Sequence, residues 1–363
     1  MAELNSPLIL GGLHLKNRVV MAPLTRSRAT DERVPTAMMA EYYAQRASAG
    51  LIISEAVVIS EQANGYLNTP GLFTDAQVEG WKQVTQAVHD QGSLIVAQLW
   101  HVGRVSHPDL LDGAMPVSSS AVQQKGQVSL LRPKRDYVAP RPLEISEIHA
   151  ITEQYRQAAV RAKEAGFDGV ELHAANGYLL DQFLQSSTNL RKDEYGGSAE
   201  NRARFLLQAV DALIEVWGAG RVGVHLAPRG DEHDMGDDDP RETFGYVLEQ
   251  LGQREIAFFF TREYLAGDSI SAYLKQRSGG KVPYIANMRL SRADAVQLLA
   301  SGQADAVSFG KAYIANPDLY ERLLENAPFN ALRLESMIGV QSAEGYTDYP
   351  SLKDRAGAGC AQH

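Results

Sequence analysis

Eight times along the chain, a short apolar run is followed by a stretch with helical spacing. The runs are 17–25 (NRVVMAPLT), 51–59 (LIISEAVVI), 94–102 (LIVAQLWHV), 169–176 (GVELHAAN), 222–228 (VGVHLAP), 257–263 (AFFFTRE), 283–287 (PYIAN) and 306–311 (AVSFGK). Most are rich in branched or aromatic residues, the composition of strands buried on both faces. Between them, 74–91 carries apolar residues at 78, 81, 84 and 88, with Thr74 placed to cap its first turn. Helices are also expected over 146–165, 198–217 and 291–300, stopped by Gly166, Gly218 and Gly302. Strand and helix alternating in this way predict an α/β chain folded as a single closed (β/α)8 TIM barrel ringed by helices. An open doubly wound sheet is the rival, but it normally has fewer repeats and a glycine-rich first turn, which this chain lacks.

The repeat also decides how the length is read. A chain of 363 residues could hold two domains, yet a barrel accounts for most of that length, so residues 1–363 are read as one domain. Two segments stand outside the repeat. Residues 8–16 (LILGGLHLK) predict an N-terminal β-hairpin turning on Gly11 and Gly12 and closing the barrel floor. Residues 103–144 form a long insertion after the third strand, expected to act as a capping loop.

With 44% hydrophobic and 22% charged residues, disorder is excluded. A net charge of −9 with scattered basic residues argues against a nucleic-acid surface. The apolar runs fall short of the ~18 residues of a membrane span. The start, MAELNSPLIL, lacks the basic and apolar regions of a signal peptide. A soluble cytoplasmic enzyme is therefore expected, with the lone Cys360 an exposed tail thiol.

In a barrel, the active site draws on residues at the carboxyl ends of the strands. Those ends carry Pro23, Thr25, Ala56, Gln98, Trp100, His173, Asn176, His225, Arg262, Asn287, Gly310 and Lys311. Few acids appear, and His101, His173 and His225 have no metal-ligand spacing, so no metal site is predicted. Glu171 has no matching acid for glycosidase chemistry. The acidic stretch 230–239 lacks the spacing of a calcium loop and reads as a solvated loop. In 258–260 (FFF) alternate rings should face the barrel interior and the helices. His173 and Asn176 follow a strand and can both donate to one oxygen, while Tyr178 is a phenol able to give a proton. A helix start with satisfied polar groups explains these residues equally well on their own.

Longer motifs break that tie. PLTRSR (23–28), AQLWHVGR (97–104), the run 169–205 beginning GVELHAANGYLL, FGKAYIANPDL (309–319) and AEGYTDYPSL (343–352) resemble the old yellow enzyme family, most closely its bacterial branch of pentaerythritol tetranitrate and xenobiotic reductases. The resemblance runs from Pro7 nearly to Leu352. It implies a (β/α)8 barrel holding FMN non-covalently and passing a hydride from NAD(P)H to an activated alkene, nitro compound, nitrate ester or quinone. Pro23, Thr25, Ala56 and Gln98 would line the flavin. His173 and Asn176 would hold the acceptor oxygen, and Tyr178 would protonate the α-carbon. Trp100, Tyr66 and Tyr349 would shape the substrate pocket. The implied partners are small electrophiles, with the protein a monomer or homodimer.

Three positions depart from the family pattern. His225 stands where arginine is usual beside flavin N1 and O2, and imidazole is only partly charged near pH 7. Lys311, after Gly310, replaces the arginine that grips the phosphate. Arg289, in Asn287-Met288-Arg289, falls where small residues are common. It would either replace the charge lost at 311 or obstruct the site. The alternative reading is thus a barrel with weakened flavin binding, serving as a ligand-binding protein or redox-neutral isomerase. A metal-dependent barrel hydrolase is the third reading, poorly supported without ligand clusters.

Overall fold

The computed structural model describes residues 2–354, so Cys360 lies outside the described residues. All eight apolar runs are strands: β1 (Val19–Met21), β2 (Leu51–Val58), β3 (Ile95–Trp100), β4 (Gly169–Ala174), β5 (Val222–Leu226), β6 (Phe258–Arg262), β7 (Tyr284–Asn287) and β8 (Ala306–Phe309). Each pairs in parallel with its sequence neighbours, and β8 pairs with β1, so the sheet closes. Closure removes both sheet edges and buries both strand faces, which is why the runs read as continuously apolar.

The period of two sorts side chains between two cores. Phe258 and Phe260 point into the barrel with Val20, Ile53, Val96 and Ile285, while Phe259 faces the helical ring. The hairpin Leu8–Leu10 and Leu13–Leu15 sends Leu10, Leu13 and Leu15 into the interior cluster from below. Gly11 turns it at a φ of 56°, and a Cβ there would meet the Gly220 carbonyl oxygen at 2.6 Å.

The helices follow the expected caps. Helix α1 (Ala37–Gln45) follows β1, and α2 (Asp75–His89) begins with a capping box between Thr74 and Gln77. Helix α3 (Ile145–Glu164) starts one residue before the expected 146, because the Glu147 carboxylate accepts the Glu144 backbone N–H at 2.8 Å. Ser198 caps α4 (Ala199–Trp217), and Gly218 ends it at a φ of 74°. Helices α5 (Pro240–Arg254), α6 (Ser271–Arg277), α7 (Arg292–Ala300) and α8 (Leu319–Glu325) complete the ring. No helix among the described residues is long and apolar enough to cross a membrane.

Three irregularities shape the upper rim. A bulge in β2 adds one residue between Ile53 and Ala56 relative to β3. It turns Glu55 outward to accept the backbone N–H groups of Arg26 and Ser27 at 3.2 and 3.3 Å. The insertion after β3 carries a short ladder, Val117–Ser118 against Arg141–Pro142, and its Val128 and Tyr137 are buried. The acidic stretch is more than the solvated loop expected. Asp237 accepts the Ser186 N–H at 3.1 Å and the Thr243 hydroxyl at 3.0 Å, and so ties two loops together.

Candidate active site

Side chains from five strand ends meet above the barrel axis. Glu171 and His173 alternate onto the same inner face of β4. Register sets Gln98 of β3 beside Glu171 and His225 of β5 beside His173. The Gln98 amide donates to Glu171 Oε1 at 2.7 Å and to His225 Nδ1 at 3.1 Å. With its Nδ1 lone pair engaged, His225 carries its proton on Nε2, which is buried without a partner.

These groups are electrically unusual. Burial lifts the Glu171 carboxyl to about 8 against the opposing Gln98 hydrogen bond. Burial pushes His225 well below the ordinary imidazole value, with His173 and Arg262 adding to the effect. The partly charged imidazole expected at 225 is therefore a neutral one at pH 7. His173 is driven to about 3 by burial, then by Arg262 and His233. It stacks on His225 with centroids 5.1 Å apart and presents a buried, unpartnered Nδ1.

The turn after β4 positions Asn176 and Tyr178. Asp181 accepts the Gly177 N–H at 2.9 Å, and Asn176 adopts a φ of 59°. Arg262 donates to Asn176 Oδ1 at 3.0 Å and is itself ion-paired to Glu232. His233 donates from Nδ1 to the Asn176 carbonyl at 2.6 Å, and its ring lies 5.2 Å from that of Tyr178. The Tyr178 hydroxyl meets that of Tyr66 at 3.0 Å. Burial holds the Tyr178 phenol well above its ordinary value, so it stays protonated.

Pro23, Thr25, Ala56, Tyr66, Gln98, Trp100, His173, Asn176, Tyr178 and His225 line one chamber of about 200 Å³. A second cavity of about 390 Å³ shares Pro23, Asn176 and His225 with it and extends to Arg289, Gly310 and Lys311. Its lining holds Arg262, Arg289 and Lys311 and no carboxylate. Met288 and Arg289 both have left-handed backbone, with φ of 97° and 55°. Tyr349 lies elsewhere. It packs with Ile314 and Ala315 behind Leu24 and Met337, and its hydroxyl accepts the Arg333 N–H at 2.8 Å.

Other contributors escaped the sequence reading. Met337 and Ile338 close the chamber in Tyr349's stead. They are held by buried Arg26, which donates to the Met337 and Gly345 carbonyls at 2.9 and 2.7 Å, and by Arg28, which donates to that of Ser336 at 2.7 Å. Tyr346 stacks on Tyr42 at 4.1 Å beneath both guanidinium groups. PLTRSR and AEGYTDYPSL are therefore two halves of one clasp. His233 and the Arg262–Glu232 pair were also missed; only the strand-end position of Arg262 hinted at them.

A flavin mononucleotide fits this donor set. The aromatic chamber has buried nitrogens of His173, His225 and Trp100 left unpartnered, and the adjoining cavity supplies cations and no competing acid. Among the described residues no group of three or more His, Cys, Asp or Glu side chains is placed to hold a metal ion.

Comparison with known proteins agrees with the geometry. Residues 3–330 match the model of the NADH:flavin oxidoreductase / NADH oxidase family, Oxidored_FMN. A solved old yellow enzyme homologue from Zymomonas mobilis is 44% identical, with a TM-score of 0.92 over 96% of this chain and 99% of its own. Morphinone reductase, solved in complex with tetrahydroNAD, is 46% identical, with a TM-score of 0.93 over 97% of this chain and 98% of its own. A probable flavin mononucleotide-dependent alkene reductase of Leishmania infantum is 41% identical over 95% of this chain and 96% of its own. The chain belongs to the NADH:flavin oxidoreductase / NADH oxidase family, as an old yellow enzyme of the bacterial type.

Proposed function

We propose that this flavin oxidoreductase reduces activated alkenes, and by the same polarisation nitro compounds, nitrate esters or quinones, at the expense of NAD(P)H. The observation that carries the reading is the convergence of His173, Asn176 and Tyr178 on one chamber that opens into a cationic cavity. Bound FMN supplies a hydride acceptor and donor at one ring nitrogen. Pro23, Thr25, Ala56, Gln98 and His225 would line its ring, with Arg289, Gly310 and Lys311 toward its phosphate.

His173 and the Asn176 amide hold the acceptor's oxygen, drawing electron density from the β-carbon where the hydride arrives. Tyr178 gives its proton to the α-carbon. Trp100 and Tyr66 keep water from the reacting atoms. Reductant and acceptor would use this chamber in turn, giving ping-pong kinetics. The whole chain acts as one catalytic domain with residues 103–144 as its cap, as monomer or homodimer, in the cytoplasm where NAD(P)H is supplied.

The test is a visible spectrum during an FMN titration, followed by anaerobic NADPH and then 2-cyclohexenone. Flavin bands that bleach and then return with enone loss are expected. A colourless protein that ignores added FMN would sink the reading and favour a ligand-binding barrel.

A further inference from the structure

Reducing a flavin changes its charge. As the C–H bond of NAD(P)H breaks and an N–H bond forms on the ring, the hydride's electron pair adds one negative charge to the ring, and NAD(P)+ departs. A cation beside the ring therefore favours the reduced form, most strongly in a dry cavity. His225 does not provide that cation, because burial keeps its imidazole neutral.

Strand register brings another cation to the same place. Phe260 of β6 pairs with His225 of β5, and their rings meet edge-on at 4.4 Å. Arg262 is the next residue of β6 on that inner face, one step nearer the rim. Its guanidinium spans the end of β5 and donates to Asn176 Oδ1, beyond β4, at 3.0 Å. Asn176 and His225 line both cavities, whereas Arg262 lines the larger one. Arg262 thus stands at the seam where the chamber opens into the cationic cavity. Glu232, on the loop after β5, is ion-paired to it but does not line the cavity.

We propose that Arg262, opposed by Glu232, supplies the positive charge that stabilises reduced FMN in place of the residue at 225. This rests on the proposed binding of FMN with its ring at His225. Arg289 and Lys311 play a different part. They lie toward the phosphate, whose charge is the same in both redox states, so they hold oxidised and reduced FMN alike. Arg262 discriminates between the two. The Glu232 carboxylate stands behind the guanidinium, so the nearer positive charge prevails but is weaker than a bare cation.

Redox potentials and FMN affinities at pH 7 separate this role from a structural one. In Arg262→Met, reduced FMN should bind about tenfold more weakly relative to oxidised FMN, a potential lower by about 30 mV. Glu232→Gln should shift the ratio the opposite way, by about threefold. Arg262→Lys keeps the charge and loses the fork, so its potential should stay near the parent's while kcat/KM for 2-cyclohexenone falls. Lys311→Gln should weaken both redox forms equally. Three results would overturn the assignment: equal weakening of both forms in Arg262→Met, a shift of the same sign in Glu232→Gln, or a matching asymmetry in Lys311→Gln. Failure of the underlying reading looks different. The parent itself would take up no FMN, or would hold it without reducing the enone.

Discussion

Arg262 donates to the Asn176 side-chain oxygen at 3.0 Å, which leaves the amide N–H groups of Asn176 for the chamber it lines. Arg262 is steadied from the other side by Glu232. On the proposed reading, the acceptor's oxygen is bound by an amide whose orientation is set two strands away. Arg262→Met should let that amide turn and should lower kcat/KM for 2-cyclohexenone about tenfold, ~1.4 kcal/mol, near the low end for a hydrogen bond to a charged group. FMN content should fall less than kcat/KM does, because Arg289 and Lys311 remain in the cationic cavity. Unchanged kcat/KM would show that Asn176 needs no such support.

The barrel was legible because its signal is periodic. Gly166 and Gly218 stop helices where a positive φ is required, at 83° and 74°, and 258–260 alternates as a strand must. Site residues on strands shared that legibility, and Glu171 could have been assigned from its spacing of two from His173. Tyr349, Met337 and His233 were not legible for a different reason. They sit on loops far along the chain from what they touch, and their places depend on buried arginine contacts such as Arg26 with Met337. No local pattern encodes those.

Replacing His225 tests the charge where the proposed reading places the flavin ring. Burial keeps its imidazole neutral, so the site offers a dipole where a fixed cation is possible. His225→Arg should tighten FMN binding and raise the two-electron potential by about 30 mV, equivalent to ~1.4 kcal/mol. The gain should already be present at about pH 6, since His225 is uncharged there too. A gain that appears only above pH 7 would mean that the imidazole titrates near neutrality after all.

Glu171 should leave a mark on stability against pH. Its folded value is raised to about 8, so the native state binds a proton that the unfolded chain has released. Its contribution is complete below the unfolded value of ~4.3 and is lost as pH rises through the folded one. Asp181, raised to about 7 by burial, works in the same direction. Comparing the parent with Glu171→Gln cancels the Asp181 part. The Tm of the variant should gain on the parent steadily from about pH 5 to about pH 8. Parallel Tm curves would show that Glu171 is ionised throughout.

Met288 offers a test in which folding and binding are separable. Its φ of 97° lies in a region where a side chain is strained, and it lines the cationic cavity next to Arg289. Glycine would relieve that strain but also widen the unfolded ensemble, and at such an angle the relief is the larger effect. Met288→Gly should therefore stabilise the protein by about 1 kcal/mol, read as a Tm increase of about 2 °C. If the Met288 side chain also crowds the phosphate end, the FMN Kd should fall by more than the Tm change explains, and a matched Met288→Ala protein should improve binding without the stability gain. A lower Tm for the glycine variant would mean that the packing of Met288 outweighs its backbone strain.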